Sequence, residues 1–155
     1  MGDVYGQPVE IVSKNKMATK RILNAYTSAN REALVESDDP QALIMILLDE
    51  LLRAMHIYVK LIETEDSDEK RKTDHLARSL TMLYGLQSCL NFEEGGEIAE
   101  NLYRLYEYGR LQLIETSRNG KVDGTKTAIN AISEIREAWS AMNTKTDIQN
   151  KAYGS

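Results

Sequence analysis

The side chains of this chain that most often bind metals or act as nucleophiles are two histidines, His56 and His75, and a single cysteine, Cys89. Neither histidine has a glutamate three residues before it, so the Glu-x-x-His pattern of di-iron helical bundles is missing. No HExxH and no paired-cysteine zinc motif occurs. No basic residue stands near Cys89 in the sequence to favour the thiolate that a catalytic cysteine needs. We therefore expect no catalytic centre, no metal and no cofactor.

The glycine pair Gly95-Gly96 is the one segment that could be taken for a phosphate-binding loop. It lacks the GxxxxGK[ST] pattern, and no predicted strand precedes it. The flanking carboxylates of Glu93, Glu94 and Glu97 would also repel a phosphate group. The pattern predicts a tight turn between two helices, with the carboxylates close to a helix N-terminus.

One catalytic alternative comes from the segment DHLARS. Histidine phosphotransfer domains are four-helix bundles in which an exposed histidine is followed by a basic residue and a glycine on the same helix. Here His75 and Arg78 match the first two features, whereas Ser79 stands where the glycine would give access. A phosphotransfer bundle using His75 is therefore an alternative hypothesis.

Composition and charge exclude several classes of protein. A chain of 155 residues suits one domain. A net charge of −5 and a pI of about 5.1 disfavour binding to nucleic acid or to an anionic membrane surface. No apolar run approaches the ~18 residues of a membrane span, and the N-terminus lacks the apolar core of a signal peptide. With one cysteine and hence no intrachain disulfide, we expect a cytoplasmic protein.

The spacing of the apolar residues predicts an all-α fold. They recur every three or four positions, and β-branched runs are absent. Asp39 and Pro40 are a favourable N-cap and first helical residue, and Asp66 with Glu69 is a predicted capping pair for the next helix. The predicted helices are residues 40–63, the segment from that capping pair to 90, 96–117 and 123–142. Asn119-Gly120 predicts a left-handed stop after the third of them. Their short connections predict an antiparallel up-down-up-down four-helix bundle.

The sequence predicts that the chain divides into four parts, one of which is the bundle. Residues 38–143 form the bundle domain in this division, and residues 17–37 form an additional N-terminal helix or cap segment. Residues 1–16 are expected to be a flexible extension and residues 144–155 a flexible tail.

Two of the predicted helices carry more apolar surface than one bundle core can use. On the helix 96–117, a core stripe of Ile98, Leu102, Leu105 and Gly109 leaves Tyr103, Leu111 and Ile114 on the opposite face. The helix after Pro40 has the same excess. The helix 123–142 has a single apolar stripe of Ala128, Ile132, Ile135, Trp139 and Met142, with Ile129 beside it. Either the N-terminal segment covers the surplus, or the surplus forms a groove for an external amphipathic segment.

Three segments in register resemble the FliS flagellin chaperones. GGEIAENLYRLYEY is similar to the family pattern GGxIAxNLxxLYxY, DPQALIMILLDELLRA to SPxxLIxMLYDGxxxx, and EIREAWSAM to LxxAWxxI. The resemblance covers about residues 38 to 142. Leu48 replaces the usual tyrosine of the second motif, Glu50 replaces a small residue, and Asp39 replaces a serine.

The resemblance implies a cytoplasmic helical bundle without enzymatic activity. Members of the family bind the disordered C-terminal segment of flagellin in apolar grooves, prevent premature polymerisation and assist type III export, in which the flagellar export gate is a further partner. A monomer or weak dimer is expected. A third hypothesis is a helical adaptor for another export substrate or regulator.

Candidate partner contacts come from the motif and from the apolar faces. Asn101 and the tyrosines of the motif can combine apolar packing with a hydrogen bond. The full predicted set is Asn101, Tyr103, Tyr106, Tyr108, Leu111 and Ile114, then Leu43, Leu47, Leu48 and Leu51 on the first bundle helix, and Tyr26 upstream.

Overall fold

A computed structural model describes the backbone of residues 40–153 and the side chains of residues 41–142. This part of the chain contains four α-helices and no β-strand: α1 is Pro40–Glu63, α2 Glu69–Ser88, α3 Phe92–Asn119 and α4 Asp123–Tyr153. The all-α prediction is confirmed for these residues. The predicted N-terminal parts, residues 1–16 and 17–37, lie outside the described residues. Helix α4 continues past the predicted end at Met142, into the segment expected to be a tail.

Local capping explains where α2 begins. The Asp68 carboxylate accepts a hydrogen bond from the backbone N–H of Arg71 at 3.0 Å, which satisfies a helix donor that would otherwise have no partner. Asp66 instead accepts from the backbone N–H of Asp68 at 2.8 Å, in the loop before the helix. The prediction that Asp66 caps this helix is therefore wrong, because the cap lies two residues later.

Helix α3 begins earlier than predicted and is broken at Gly96. Asn91 is its N-cap, and its side chain accepts from the backbone N–H of Glu94 at 3.1 Å. Gly96 has φ 51° and ψ −128°, a conformation that L-residues with a Cβ rarely adopt. Gly96 therefore forms a kink between a short helical turn before it and the long helix after it, and the turn between helices predicted at the glycine pair is confirmed. At the other end Gly120 closes the helix in the left-handed conformation, as its position predicts.

Each helix packs against two others, which makes the fold a helical bundle. Helix α1 contacts α2 and α4, and α3 contacts the same two helices. Three contacts show that α1 and α4 run antiparallel: Lys126 with Glu63 at 2.6 Å, Arg136 with Asp49 at 2.9 Å, and the Trp139 indole N–H to the Gln41 carbonyl at 3.3 Å. Residue numbers rise along one helix as they fall along the other.

The core is continuous between the helices. On α4 the predicted stripe is confirmed, since Ala128, Ile129, Ile132 and Trp139 are buried and Ile135 and Met142 pack against the core. Gly109 brings α3 close to both neighbours: an added Cβ there would lie 3.6 Å from the Ile132 side chain and 3.7 Å from that of Leu83. Within the described residues, no helix has the length and apolar character needed to cross a bilayer.

Substitution of Gly96 should reveal how much free energy the unusual backbone conformation costs a residue with a Cβ. Space does not limit Gly96→Ala, because an added Cβ meets nothing within 4 Å. The unfavourable φ and ψ angles alone should lower the free energy of unfolding by about 1–3 kcal/mol. Gly120→Ala, at φ 72° and ψ 5°, should cost less, about 1 kcal/mol. Urea unfolding followed by circular dichroism measures both, and an equal or smaller loss for Gly96→Ala would contradict the assigned conformation.

Candidate protein-binding surface

The large apolar side chains that the structure leaves exposed come from one stretch of the chain, and three of them, Tyr84, Phe92 and Tyr103, lie close together. Within the described side chains they all lie between the C-terminal turn of α2 and the middle of α3. Isolated apolar residues on a surface are ordinary, but a group of them is typical of a protein-binding surface. The group is Tyr84, Phe92, Ile98, Tyr103, Tyr108 and Leu111.

The inward face of α3 determines which of its side chains reach the surface. Residues at helical spacing pack into the core: Ala99, Leu102, Tyr106, Gly109, Leu113 and Thr116. Tyr103 and Leu111 lie away from this stripe and are 41% and 50% exposed. Ile114 is half-buried on the same side as Tyr103. The outward position predicted for these residues is confirmed for Tyr103 and Leu111, whereas Ile114 is only partly exposed.

The burial of two residues on α3 differs from what the sequence predicted. The core position predicted for Ile98 is wrong: this side chain is 43% exposed, because the helix after the Gly96 break directs its neighbour Ala99 inward. Tyr106, expected to contact a partner, is only 3% exposed and belongs to the core, so its role in binding stays a prediction. Burial raises the pKa of its phenol well above the usual value, so the side chain stays neutral.

The remaining motif residues lie on the other flank of α3. Tyr108 is exposed there, and the Asn101 side-chain oxygen accepts a hydrogen bond from Arg104 at 3.3 Å. Both are accessible to a partner. They point away from Tyr103, so a partner touching all three would have to wrap around the helix.

The leucines predicted as contacts on α1 are in the interior. Leu43, Leu47, Leu48 and Leu51 are between 0% and 2% exposed and contribute to the central cluster. As they are placed, they offer no surface to a partner, and their role in binding stays a prediction. Tyr26 lies outside the described residues.

Helices α2 and α3 form a cleft that we name the aromatic groove. It has a volume of about 440 Å³ and is lined by Tyr84, Gln87 and Ser88 from α2 and by Tyr103, Glu107 and Arg110 from α3. Phe92 contacts one of the lining side chains, with its ring centroid 5.9 Å from that of Tyr103 and the two planes at 62°. This edge-to-face geometry is favourable for aromatic pairs.

The polar side chains of the aromatic groove satisfy one another. Gln87 donates to one oxygen of the Glu107 carboxylate at 3.0 Å, and the Arg110 Nε–H donates to the other at 2.8 Å. These hydrogen bonds, that of Arg110 first, lower the pKa of Glu107, which remains ionised at neutral pH. The Glu107 carboxylate and the Gln87 amide already have hydrogen-bond partners. An apolar side chain of a partner can therefore enter the groove without leaving either group buried and unpaired.

Sequence reasoning named only Tyr103 among the six residues that line this groove. It missed Tyr84, Gln87, Ser88, Glu107 and Arg110, as well as Phe92, which contacts Tyr103. Tyr84 is 68% exposed, and its outward position on α2 was readable from the helical period. Phe92 was hidden because the segment around the glycine pair was taken as a turn. Gln87 had no signal, since its partner Glu107 is distant in the sequence and only helix packing brings them together.

The residues considered above for phosphotransfer or nucleophilic chemistry, His75 and Cys89, make contacts that belong to the fold. The His75 Nδ1 lies 2.9 Å from the Arg71 carbonyl of its own helix, and Ser79 is buried against the His75 carbonyl. Cys89 is buried near Tyr106. Within the described residues, no three His, Cys, Asp or Glu side chains come together so as to hold a metal ion.

A second and smaller cleft lies between α1 and α4. Its volume is about 310 Å³, and the Glu63–Lys126 ion pair crosses it. Val59 and Ile129 form its apolar part, and Asn130 is exposed at its edge. It has no exposed aromatic side chain and serves below as a control surface.

A comparison with known families identifies the chain. The family described as "Flagellar protein FliS" matches residues 22–146. The chain belongs to the FliS family. This confirms the resemblance found in the three sequence motifs, and with it the class of helical-bundle chaperones of flagellar protein export.

Individual relatives agree with this assignment. The flagellar secretion chaperone FliS of Salmonella typhimurium is 30% identical over 134 residues, which cover 86% of this chain and 98% of that protein. FliSB of Pseudomonas aeruginosa is 27% identical, with 79% and 96% covered, and FliS of Vibrio cholerae is 25% identical, with 76% and 85% covered. Both are likewise named flagellar secretion chaperones.

The two tyrosines Tyr103 and Tyr106 should differ sharply in their contribution to stability. Tyr106→Ala removes a buried ring and should lower the free energy of unfolding by about 3–5 kcal/mol. Tyr103→Ala removes an exposed ring and should cost less than about 1 kcal/mol. Urea unfolding of both variants measures the difference. Losses of equal size would show that Tyr103 belongs to the core.

Proposed function

We propose that this protein is a cytoplasmic flagellar export chaperone that binds the disordered C-terminal segment of flagellin. Binding prevents premature polymerisation and helps to deliver the subunit to the export gate. The protein acts by stoichiometric binding, without turnover. The observation that carries the proposal is the group of exposed apolar side chains along α3 and the aromatic groove, in a chain of the FliS family.

The shape and chemistry of this surface suit an amphipathic helix. Such a helix places apolar residues at positions i, i+3 or i+4, and i+7 into a cleft between two helices. Tyr103, Leu111 and Ile114 are eight and three residues apart along α3, which places them on one side of the helix, where they can pack against a partner stripe of helical period. Burial of apolar surface supplies the binding free energy, at roughly 25 cal/mol per Å². The cost of ordering a disordered partner offsets part of it.

The exposed residues are the natural first contacts for the partner. Leu47, Leu48 and Leu51 could join only after the side chains that cover them move, which would add to the cost of binding. We therefore assign the initial contact to α3 and the aromatic groove. Tyr108 and Asn101, on the other flank of α3, can be reached if the bound segment continues around the helix.

Calorimetric titration with the C-terminal segment of flagellin from the same organism tests the proposal. A one-to-one complex with a negative heat-capacity change is expected, because the interface removes apolar surface from water. No binding by folded protein, both intact and after deletion of residues 1–36, would overturn the proposal. Binding restored only by the deletion would show that the N-terminal segment covers the site.

Charged substitutions on α3 locate the interface. Tyr103→Glu and Leu111→Glu should each weaken binding at least about tenfold, since each places a carboxylate in an apolar contact. Asn130→Glu adds the same charge beside the α1–α4 cleft and should change the affinity by less than about twofold. Circular dichroism checks that all three variants are folded. If Asn130→Glu alone weakens binding, the partner occupies the other cleft.

A further inference from the structure

The Gly96 kink brings together two aromatic rings that a straight helix would hold apart. Phe92 precedes Tyr103 by eleven positions in α3, and in a straight α-helix that separation corresponds to roughly 16 Å along the axis. The two ring centroids are only 5.9 Å apart. The turn before Gly96 is therefore bent back towards the helix that follows it, and the ring contact depends on the kink.

The glycine at this kink is required by the backbone and not by packing. Its φ of 51° and ψ of −128° are the angles of a tight turn that favours glycine. An added Cβ would meet nothing within 4 Å, so no neighbouring group excludes a side chain there. What Gly96 determines is the direction of the preceding turn, and that turn carries Phe92.

The two rings form one apolar surface beside the aromatic groove. Phe92 is 47% exposed and Tyr103 41% exposed, and Tyr103 lines the groove itself. Aromatic side chains are enriched in protein interfaces. Because each ring already packs against the other in the free protein, a partner that covers them has little side-chain motion to restrict, which favours binding.

We propose that Phe92 is a main apolar contact of the flagellin segment and that Gly96 is the residue that positions it. The inference rests on the proposed function, because it names further residues of that binding surface. An apolar side chain of the segment that packs on Tyr103 also reaches Phe92, since the two rings are in contact. A residue with a Cβ in place of Gly96 would relax towards helical angles and move Phe92 away from Tyr103.

Fluorine NMR tests the positioning role in the free protein. Phe92 is the only phenylalanine of the chain, so incorporation of para-fluorophenylalanine gives a single fluorine resonance. Gly96→Ala should move this resonance towards its position in urea-unfolded protein, because the ring loses its contact with Tyr103. Tyr103→Leu, which removes the second ring, should move it in the same direction. A resonance that stays in place in either variant would contradict the inference.

Gly120→Ala is the matched control for the glycine substitution. Gly120 also has a positive φ and free space for a Cβ, but it lies at the other end of α3. This variant should leave the fluorine resonance unchanged. A shift as large as that of Gly96→Ala would show that any loss of stability in α3 moves the ring, and the positioning role would fail.

Calorimetric titration with the flagellin segment tests the binding role in full-length protein. Phe92→Ala should stay folded, since the ring is half exposed, and should weaken binding at least about tenfold. Gly96→Ala should weaken binding by a similar factor, but by less than about twofold when Phe92 is already alanine, because it acts through that ring. Gly120→Ala should bind within about twofold of wild type. Independent, additive losses for Phe92→Ala and Gly96→Ala would overturn the positioning role.

A designed peptide separates this inference from the function on which it rests. The peptide carries a leucine stripe at helical spacing and no flagellin sequence. Weaker binding of this peptide to Phe92→Ala than to wild type supports the inference even if the flagellin segment does not bind. Equal affinity of wild type and Phe92→Ala for the flagellin segment overturns the inference and leaves the proposed function intact. If neither probe binds the folded protein, both fail.

Discussion

The rotation of α3 about its own axis is the constraint on which the rest of this structure depends. Gly96 takes backbone angles that are open mainly to glycine, and the helix that follows presents a stripe of small and large residues inward. Within that stripe Gly109 lets α2 and α4 approach, and Tyr106, about one turn earlier, is buried in the core. Because this face of α3 is buried, Tyr103 and Leu111, which lie away from it, remain at the surface. Their exposure follows from packing elsewhere on the same helix.

The packing contact between α2 and α3 differs in its side chains from the contact between α1 and α4. The α1–α4 contact combines buried apolar residues with the Asp49–Arg136 and Glu63–Lys126 ion pairs at its edges. The cleft of α2 and α3 combines polar groups that are paired with each other and the exposed rings of Tyr84 and Tyr103. The cleft between α1 and α4 is smaller and is lined by no tyrosine or phenylalanine, so the α2–α3 cleft offers more aromatic surface to another molecule.

Capping and helical period made the fold predictable, and tertiary packing limited what could be said of the site. The beginning of α1 at Pro40 and the left-handed Gly120 are local features and were correctly predicted. The core position predicted for Ile98 was wrong because Ile98 and Ala99 differ by a rotation of about 100° around the helix, and no local signal fixes which of the two points inward. Gln87 and Glu107 meet only because α2 and α3 pack together. The family motif named Tyr106 and Tyr108 together, yet one is buried and the other exposed.

The position of the only tryptophan has an optical consequence. Trp139 is buried in the seam between α1 and α4, where its indole N–H donates to the carbonyl of Gln41 in the first turn of α1. The rings of the aromatic groove are tyrosine and phenylalanine from α2 and α3. Emission excited at the red edge of tryptophan absorption therefore reports on the start of α1 and not on the groove. A ligand that only fills the groove should be spectroscopically silent, whereas one that also loosens α1 from α4 should shift the emission to longer wavelength.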